Sequence, residues 1–212
     1  MELRSVNVSL PRDVMHNGKM VTTGIFKTPV SGRVRVGALG LEGDGQADLL
    51  NHGGEHKAVY AYPIEHYAYW ERELGRGPFG HGQFGENLTV AGMDEEEVCV
   101  GDVFRVGAAL LQISQPRTPC SKLAMKMERP DFPKRFLASR RTGFYLRVLE
   151  EGEVGAGDTI TLVQPDAQRL SIRMVTDLRH FNRDDLAGAE RALAVSALAP
   201  SWREAIGARL AR

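Results

Sequence analysis

Cysteine is almost missing from this chain of 212 residues: Cys99 and Cys120 are the two present, and they form no C-x-x-C pair. That excludes an all-cysteine zinc site or an iron–sulfur cluster held by a single chain. Long apolar runs are missing too, so no segment reads as a membrane span. Residues 1–7 lack the apolar core of a signal peptide, and together these absences predict a cytoplasmic protein with no membrane partner. Excess charge of one sign is absent, since 27 Lys and Arg balance 27 Asp and Glu. A nucleic-acid polymer is therefore not expected as the partner. No G-x-S-x-G supports a serine hydrolase, and neither a Walker A loop nor a dinucleotide fingerprint occurs. His16, His56, His66, His81 and His180 have no metal-ligand spacing with one another.

What the chain does have is glycine, 23 residues or about 11% against a typical ~7%. Short alternating or β-branched runs predict strands over 3–9, 21–27, 33–39, 57–62, 87–90, 102–106, 109–114, 144–150 and 159–163. Two Gly-Asp turns, at Gly101-Asp102 and Gly157-Asp158, each feed one of these strands. Helices are expected over 63–74, ending at Gly75, and over 133–141. Near residue 165 the composition turns to Ala, Arg and Leu, which predicts helices over 171–180, 184–195 and 201–210. Ser201 and Glu204 suit a capping box for the last of these. The expected organisation is a mainly β domain over 1–165 and a three-helix module over 166–212.

The stretch Ser-Gln-Pro-Arg-Thr-Pro-Cys-Ser-Lys, residues 114–122, carries the strongest chemical signal. Pro116 and Pro119 should stop the preceding strand, and residues 121–127 are good helix formers. Cys120 then lies where a rigid turn enters a helix, with Arg117 before it and Lys122 after. Backbone N–H groups at a helix start and nearby cations favour the thiolate, the form that attacks, carries sulfur or binds metal. The other reading is a small buried residue near a turn. Cys99, in Val98-Cys99-Val100, reads as core.

Two further stretches offer polar groups. Residues 40–54, with Asp44, His52, Gly53 and Gly54, are glycine-rich enough to bring backbone N–H groups to an anion, or form an ordinary surface loop. Lys57 adds a cation just beyond. Phe84-Gly85-Glu86-Asn87 precedes a strand, and its Glu–Asn pair can read a heterocycle's edge or close a turn.

In this order, the Gly-Leu-Glu-Gly-Asp loop, His52-Gly53-Gly54 with Lys57, Phe84-Gly85-Glu86-Asn87, Gly101-Asp102 and residues 115–122 resemble the MOSC family. That family is named after the C-terminal domain of molybdenum cofactor sulfurases. The resemblance runs over about 24–164, and the helical tail is similar to the bacterial branch linked to resistance to N-hydroxylated base analogues. One departure is Glu55-His56, where the family more often has proline and a polar residue.

The resemblance implies a mainly β fold with a strongly curved, barrel-like sheet. It also implies a molybdenum cofactor, a pterin dithiolene with a phosphate, and reduction of N-hydroxylated compounds such as modified purines to amines. Cys120 would be the metal ligand, a soft donor suited to a metal already bound through sulfur. His52, Gly53, Gly54, Lys57, Phe84, Gly85, Asn87, Arg117 and Lys122 would hold the cofactor, with Asp44 or Glu86 relaying protons. The alternatives are a sulfurtransferase carrying a persulfide on Cys120 and a non-enzymatic cofactor carrier. With no visible electron route of its own, the chain is expected to need a separate flavin or iron–sulfur reductase. The C-terminal helices, which the sequence pattern leaves outside the sheet, are the expected docking surface; covering the sheet or forming a homodimer contact is their other role.

Overall fold

The computed structural model of the chain describes residues 1–48 and 53–210. Strand β1 (Glu2–Val8) leads into a hairpin of β2 (Arg12–His16) and β3 (Lys19–Thr23). Asn17 and Gly18 turn it at φ 50° and 74°, the left-handed pair that a two-residue hairpin loop needs. Then come the short β4 (Thr28–Pro29), β5 (Arg33–Gly37) and β6 (Gly40–Leu41). A 3-10 turn (Glu55–Lys57) precedes β7 (Val59–Pro63), α1 (Glu65–Leu74) and β8 (Leu88–Ala91). Strands β9 (Val103–Val106) and β10 (Ala109–Pro116) lead to helices α2 (Ser121–Met127) and α3 (Phe132–Ser139). Three strands follow, β11 (Phe144–Glu150), β12 (Gly152–Gly155) and β13 (Ile160–Gln164). The chain ends its described part in α4 (Ile172–His180), α5 (Leu186–Ala194) and α6 (Pro200–Gly207).

Eight strands form one sheet in the order β13-β9-β10-β11-β7-β8-β1-β4. Its pairs are antiparallel except β7 with β8, which run parallel because α1 crosses between them. A smaller sheet joins β12, β5 and β6. The expected fold is mainly β and barrel-like, and the structure is sheet-dominant with helices. Among the described residues no strand ladder closes; the two sides of the large sheet meet at one isolated bridge, Glu2 to Thr159. There the Leu3 amide donates to the Asp158 carbonyl at 2.9 Å, and the Ile160 amide to that of Met1 at 3.0 Å.

Both Gly-Asp turns are locked in the same way. Asp102 Oδ2 accepts from the Cys99 amide at 2.9 Å, and Asp158 Oδ2 from the Gly155 amide at 2.8 Å. Two apolar cores result. The larger joins sheet residues such as Leu3, Phe104 and Leu111 to Leu178, Trp202 and Ile206 of the C-terminal helices. The smaller is aromatic and lies under α1–α3, with Tyr62, Trp70, Phe84, Phe132 and Phe136. The Tyr62 and Phe84 rings are 4.5 Å apart, a spacing at which aromatic pairs attract beyond their buried area.

Three local expectations are corrected. Strand β10 runs on to Pro116, which pairs with Phe144, because a proline at a strand's last position takes no interior donor from the ladder. Ser201 caps nothing: α6 begins at Pro200, the favoured first position, with Ala199 fixed by the hydrogen bond that its backbone N–H donates to the Ser114 carbonyl at 3.1 Å. Cys99 is buried as expected, but in a single bridge to Ser171 rather than a strand.

Candidate functional site

Strand β10 and α2 meet at the turn 117–120, and Cys120 stands at its end as the residue before the first turn of α2. Its backbone is extended, φ −125° and ψ 172°, and the Leu123 amide donates to its carbonyl at 3.1 Å. The half-buried side chain opens into a cleft with an empty volume of about 570 Å³. One wall is the base of the β2–β3 hairpin, from Thr23 to Lys27; another is the loop 44–48; Tyr60 and Tyr145 form the floor with Arg117. Lys57 and Lys122 stand at its sides.

Of the residues expected to act, the structure brings Cys120, Asp44, Lys57, Gly85, Asn87, Arg117 and Lys122 to this one cleft. Gly85 needs its glycine: φ is +81°, and a Cβ would lie 2.8 Å from Cγ1 of Ile25. Phe84 does not line the cleft; its ring is in the aromatic core and only its carbonyl serves the site, accepting from Arg117 Nη1 at 2.6 Å. Gly53 does not line it either, and Gly54 lies in a neighbouring hollow beside residues 35–46. His52 lies outside the described residues.

Glu86 is placed behind the wall, not in the cleft. It is 0% exposed, and its carboxylate accepts from the amides of Gly82 and Phe84 at 2.8 and 2.9 Å and from Thr89 Oγ1 at 3.0 Å. Tyr67 donates its hydroxyl to the same group. Four donors hold the loop 82–86 in shape, which is what a buried carboxylate requires and leaves little capacity for moving protons.

Asp44 is both a brace and a lining group. It accepts from the Ser9 amide at 2.9 Å and from Asn87 Nδ2 at 2.8 Å, and it pairs with Lys27. Asn87 Oδ1 in turn accepts from the Tyr60 amide at 3.1 Å. The Lys27 and Asp44 side chains are 8% and 4% exposed, so this ion pair is largely out of water. Burial pulls the Lys27 ammonium below the usual lysine range, with Asp44 opposing the fall. Sequence reading missed Lys27, because a lone lysine at the end of a strand-like run carries no motif. It missed Tyr60 as well. The Arg117 guanidinium lies 4.4 Å over the Tyr60 ring and is itself 5% exposed, so it packs as well as charges the cleft.

Lys126, one turn further along α2, donates to the Ile25 and Gly82 carbonyls and ties the helix to the cleft wall at Ile25 and to the loop that Glu86 braces. Burial pushes its ammonium down to about 8, with Lys27, Arg117 and Arg12 adding to the fall and Glu86 opposing it. Its folded pKa lies below the unfolded one, so the fold holds fewer protons and gains stability as pH rises from about 8 towards 10.5. Cys99, pushed up to about 11 by burial and Asp102, works the other way above pH 9. The difference in urea midpoint between the wild type and Lys126→Met isolates the first effect. We expect the wild type to gain on the variant across pH 8 to 10.5; a difference that is flat with pH would refute a buried, charge-strained Lys126.

Residues 48–161 match the MOSC domain family, and residues 170–212 match the YiiM-like, 3-alpha helix domain. The chain is 45% identical over 199 residues to YflK of Bacillus subtilis, covering 94% of this chain and 90% of that one. It is 36% identical over 182 residues to YiiM of Escherichia coli, covering 85% and 81%. A Gibberella moniliformis protein named Reductase is 36% identical over 176 residues, which are 80% of this chain but 31% of the fungal one. The crystal structure of YiiM from Geobacillus stearothermophilus superposes with a TM-score of 0.84 at 42% identity, covering 99% of this chain and 98% of that one.

Proposed function

The chain belongs to the MOSC domain family, and from that premise we propose that it is a molybdenum-cofactor-dependent oxidoreductase that reduces N-hydroxylated compounds to amines. Membership points to a molybdenum-cofactor-related function, and the fungal relative named Reductase points to redox chemistry. The observation that carries the finer reading is the donor set of the cleft: one thiol, Cys120, among the cations Arg117, Lys57 and Lys122. A soft sulfur ligand beside groups that neutralise phosphate fits a pterin-bound molybdenum.

When bound, the cofactor supplies the two-electron chemistry that cleaves the N–O bond. The overall change is a hydroxylamine plus two electrons and two protons giving an amine and water. Cys120 Sγ would hold the metal, and Lys57 and Lys122 would hold the phosphate. Burial lowers the Lys57 pKa, with Arg179 adding to the fall and Asp48 opposing it, so this ammonium is poorly solvated and gains from an anion. Lys27 Nζ, bonded to Asp44 and with a depressed pKa, is suited to hand a proton to the departing oxygen. Arg117 fixes the floor through Tyr60 and the Phe84 carbonyl.

Electrons would come from a separate flavin or iron–sulfur reductase. In support, the fungal relative named Reductase has more than two-thirds of its length outside the stretch that it shares with this chain. Protein produced in a molybdenum-competent host is expected to carry about one molybdenum and one pterin per chain and to reduce a purine hydroxylamine with an artificial reductant. Sulfur added at Cys120 and passed to an acceptor without molybdenum would instead establish the sulfurtransferase, and pterin without turnover the carrier.

A further inference from the structure

A second cationic hollow, away from the Cys120 cleft, lies among the C-terminal helices. Arg179 and His180 from the last turn of α4, Arg183 beyond it, and Ala205 and Arg209 from the end of the chain line an empty volume of about 540 Å³. Among the described residues its lining holds no carboxylate; Asp184 lines the adjoining hollow with Arg183 and Arg209.

These cations are held in place. Arg209 donates from Nη1 to the Arg183 carbonyl at 3.4 Å and from Nη2 to the Arg179 carbonyl at 3.2 Å, which ties it to the end of α4. The Arg179 guanidinium lies 4.5 Å over the Trp202 ring, and the His180 ring is 5.9 Å from the same indole. Arg209 Nε and His180 Nε2 are both buried and have no hydrogen-bond partner. A fold gains nothing by gathering like charges and orphaned polar atoms, since each raises its energy. The arrangement makes sense if something negative completes it.

We propose that this hollow is a second anion subsite that takes a phosphate group. Guanidiniums suit phosphate because the planar group carries several N–H donors for tetrahedral oxygens, and Arg209, whose Nη atoms serve carbonyls, still has its Nε unpaired. The charges already disturb one another. Burial and then Arg209 lower the Arg179 pKa, and burial followed by Arg179, Arg183 and Arg209 lowers that of His180. Arg179 also acts on Lys57, which lines the Cys120 cleft. The phosphate can be a free anion or part of a larger ligand. The subsite does not depend on molybdenum and stands or falls apart from the redox reading.

The test is calorimetric titration of the full chain with inorganic phosphate and with adenosine 5′-monophosphate at low ionic strength, alongside the rate of Cys120 alkylation. Arg183→Gln is the decisive variant, because the Arg183 side chain is exposed and Arg209 uses only its backbone carbonyl. Wild type should bind phosphate, and Arg183→Gln and Arg179→Gln should each weaken binding roughly ten- to a hundred-fold. Lys134→Gln, an exposed lysine of α3 that lines neither the cleft nor this hollow, should leave it unchanged. If the nucleotide also slows Cys120 alkylation and loses affinity in Arg183→Gln, the phosphate belongs to a ligand that bridges both sites. If it binds no tighter than inorganic phosphate, the subsite serves a free anion. No binding of either probe to wild type overturns the proposal, as does loss in Lys134→Gln with none in a folded Arg183→Gln.

Discussion

Replacing Cys120 by serine should lower hydroxylamine reduction by more than about a hundred-fold while the fold persists. Losing a group that merely orients a metal ligand already costs ~10–100-fold, so losing the ligand itself should exceed that. A hydroxyl is a harder and far less acidic donor than a thiol, which is why it cannot take over. Stability should barely move, because Cys120 is half-buried at a turn, and substitutions at such places usually stay within about 0.5 kcal/mol. Cys99→Ser is the matched control. Cys99 is 2% exposed and has its thiol against the Glu97 carbonyl, so its loss should register in stability and not in turnover. Molybdenum content, turnover and the thermal midpoint of both variants check this; equal loss of activity in two folded variants would defeat the division of roles.

Ending the chain after Pro165 should leave a protein that does not fold. Read from sequence, the last helices look dispensable to the sheet. In the structure Leu170, Ile172, Val175, Leu178, Trp202 and Ile206 sit in the same core as Leu111 and Ile113. Burying one such side chain is worth about 1.5–3 kcal/mol, so losing these six outweighs much of the ~5–15 kcal/mol that holds a domain together. Backbone bonds are lost as well: the Val100 amide gives to Leu170, and Ile172 to Val98, each at 3.0 Å. Far-UV circular dichroism and a thermal melt of the truncated chain decide it. A cooperative melt within a few degrees of the full chain would show that the helices are an appendage after all.

Much of the cleft was legible because its key groups are neighbours in sequence. Arg117, Cys120 and Lys122 fall within six residues, between prolines and a helix-forming run. Lys27 was not legible, since it reaches the cleft only through the folding back of the β2–β3 hairpin, whose pairing leaves no motif around it. Glu86 shows the opposite difficulty. A carboxylate beside glycine and asparagine looks the same in sequence whether it faces substrate or closes a loop, and only the four donors around it tell the two apart. Strands of two residues, such as β4 and β6, carry too little pattern to be read.

The single bridge between Glu2 and Thr159 has a consequence for synthesis. Translation delivers β1 long before its neighbours: Val6 pairs with Leu88, and the Leu3 amide finds its acceptor at Asp158. Until those residues leave the ribosome, the Leu3 and Val6 side chains and an open strand edge have no cover. At roughly 5–20 residues per second that exposure lasts about 8–30 s. A nascent chain stalled before residue 158 would thus offer an unpaired edge to its neighbours on the same message, the kind of template on which chains aggregate.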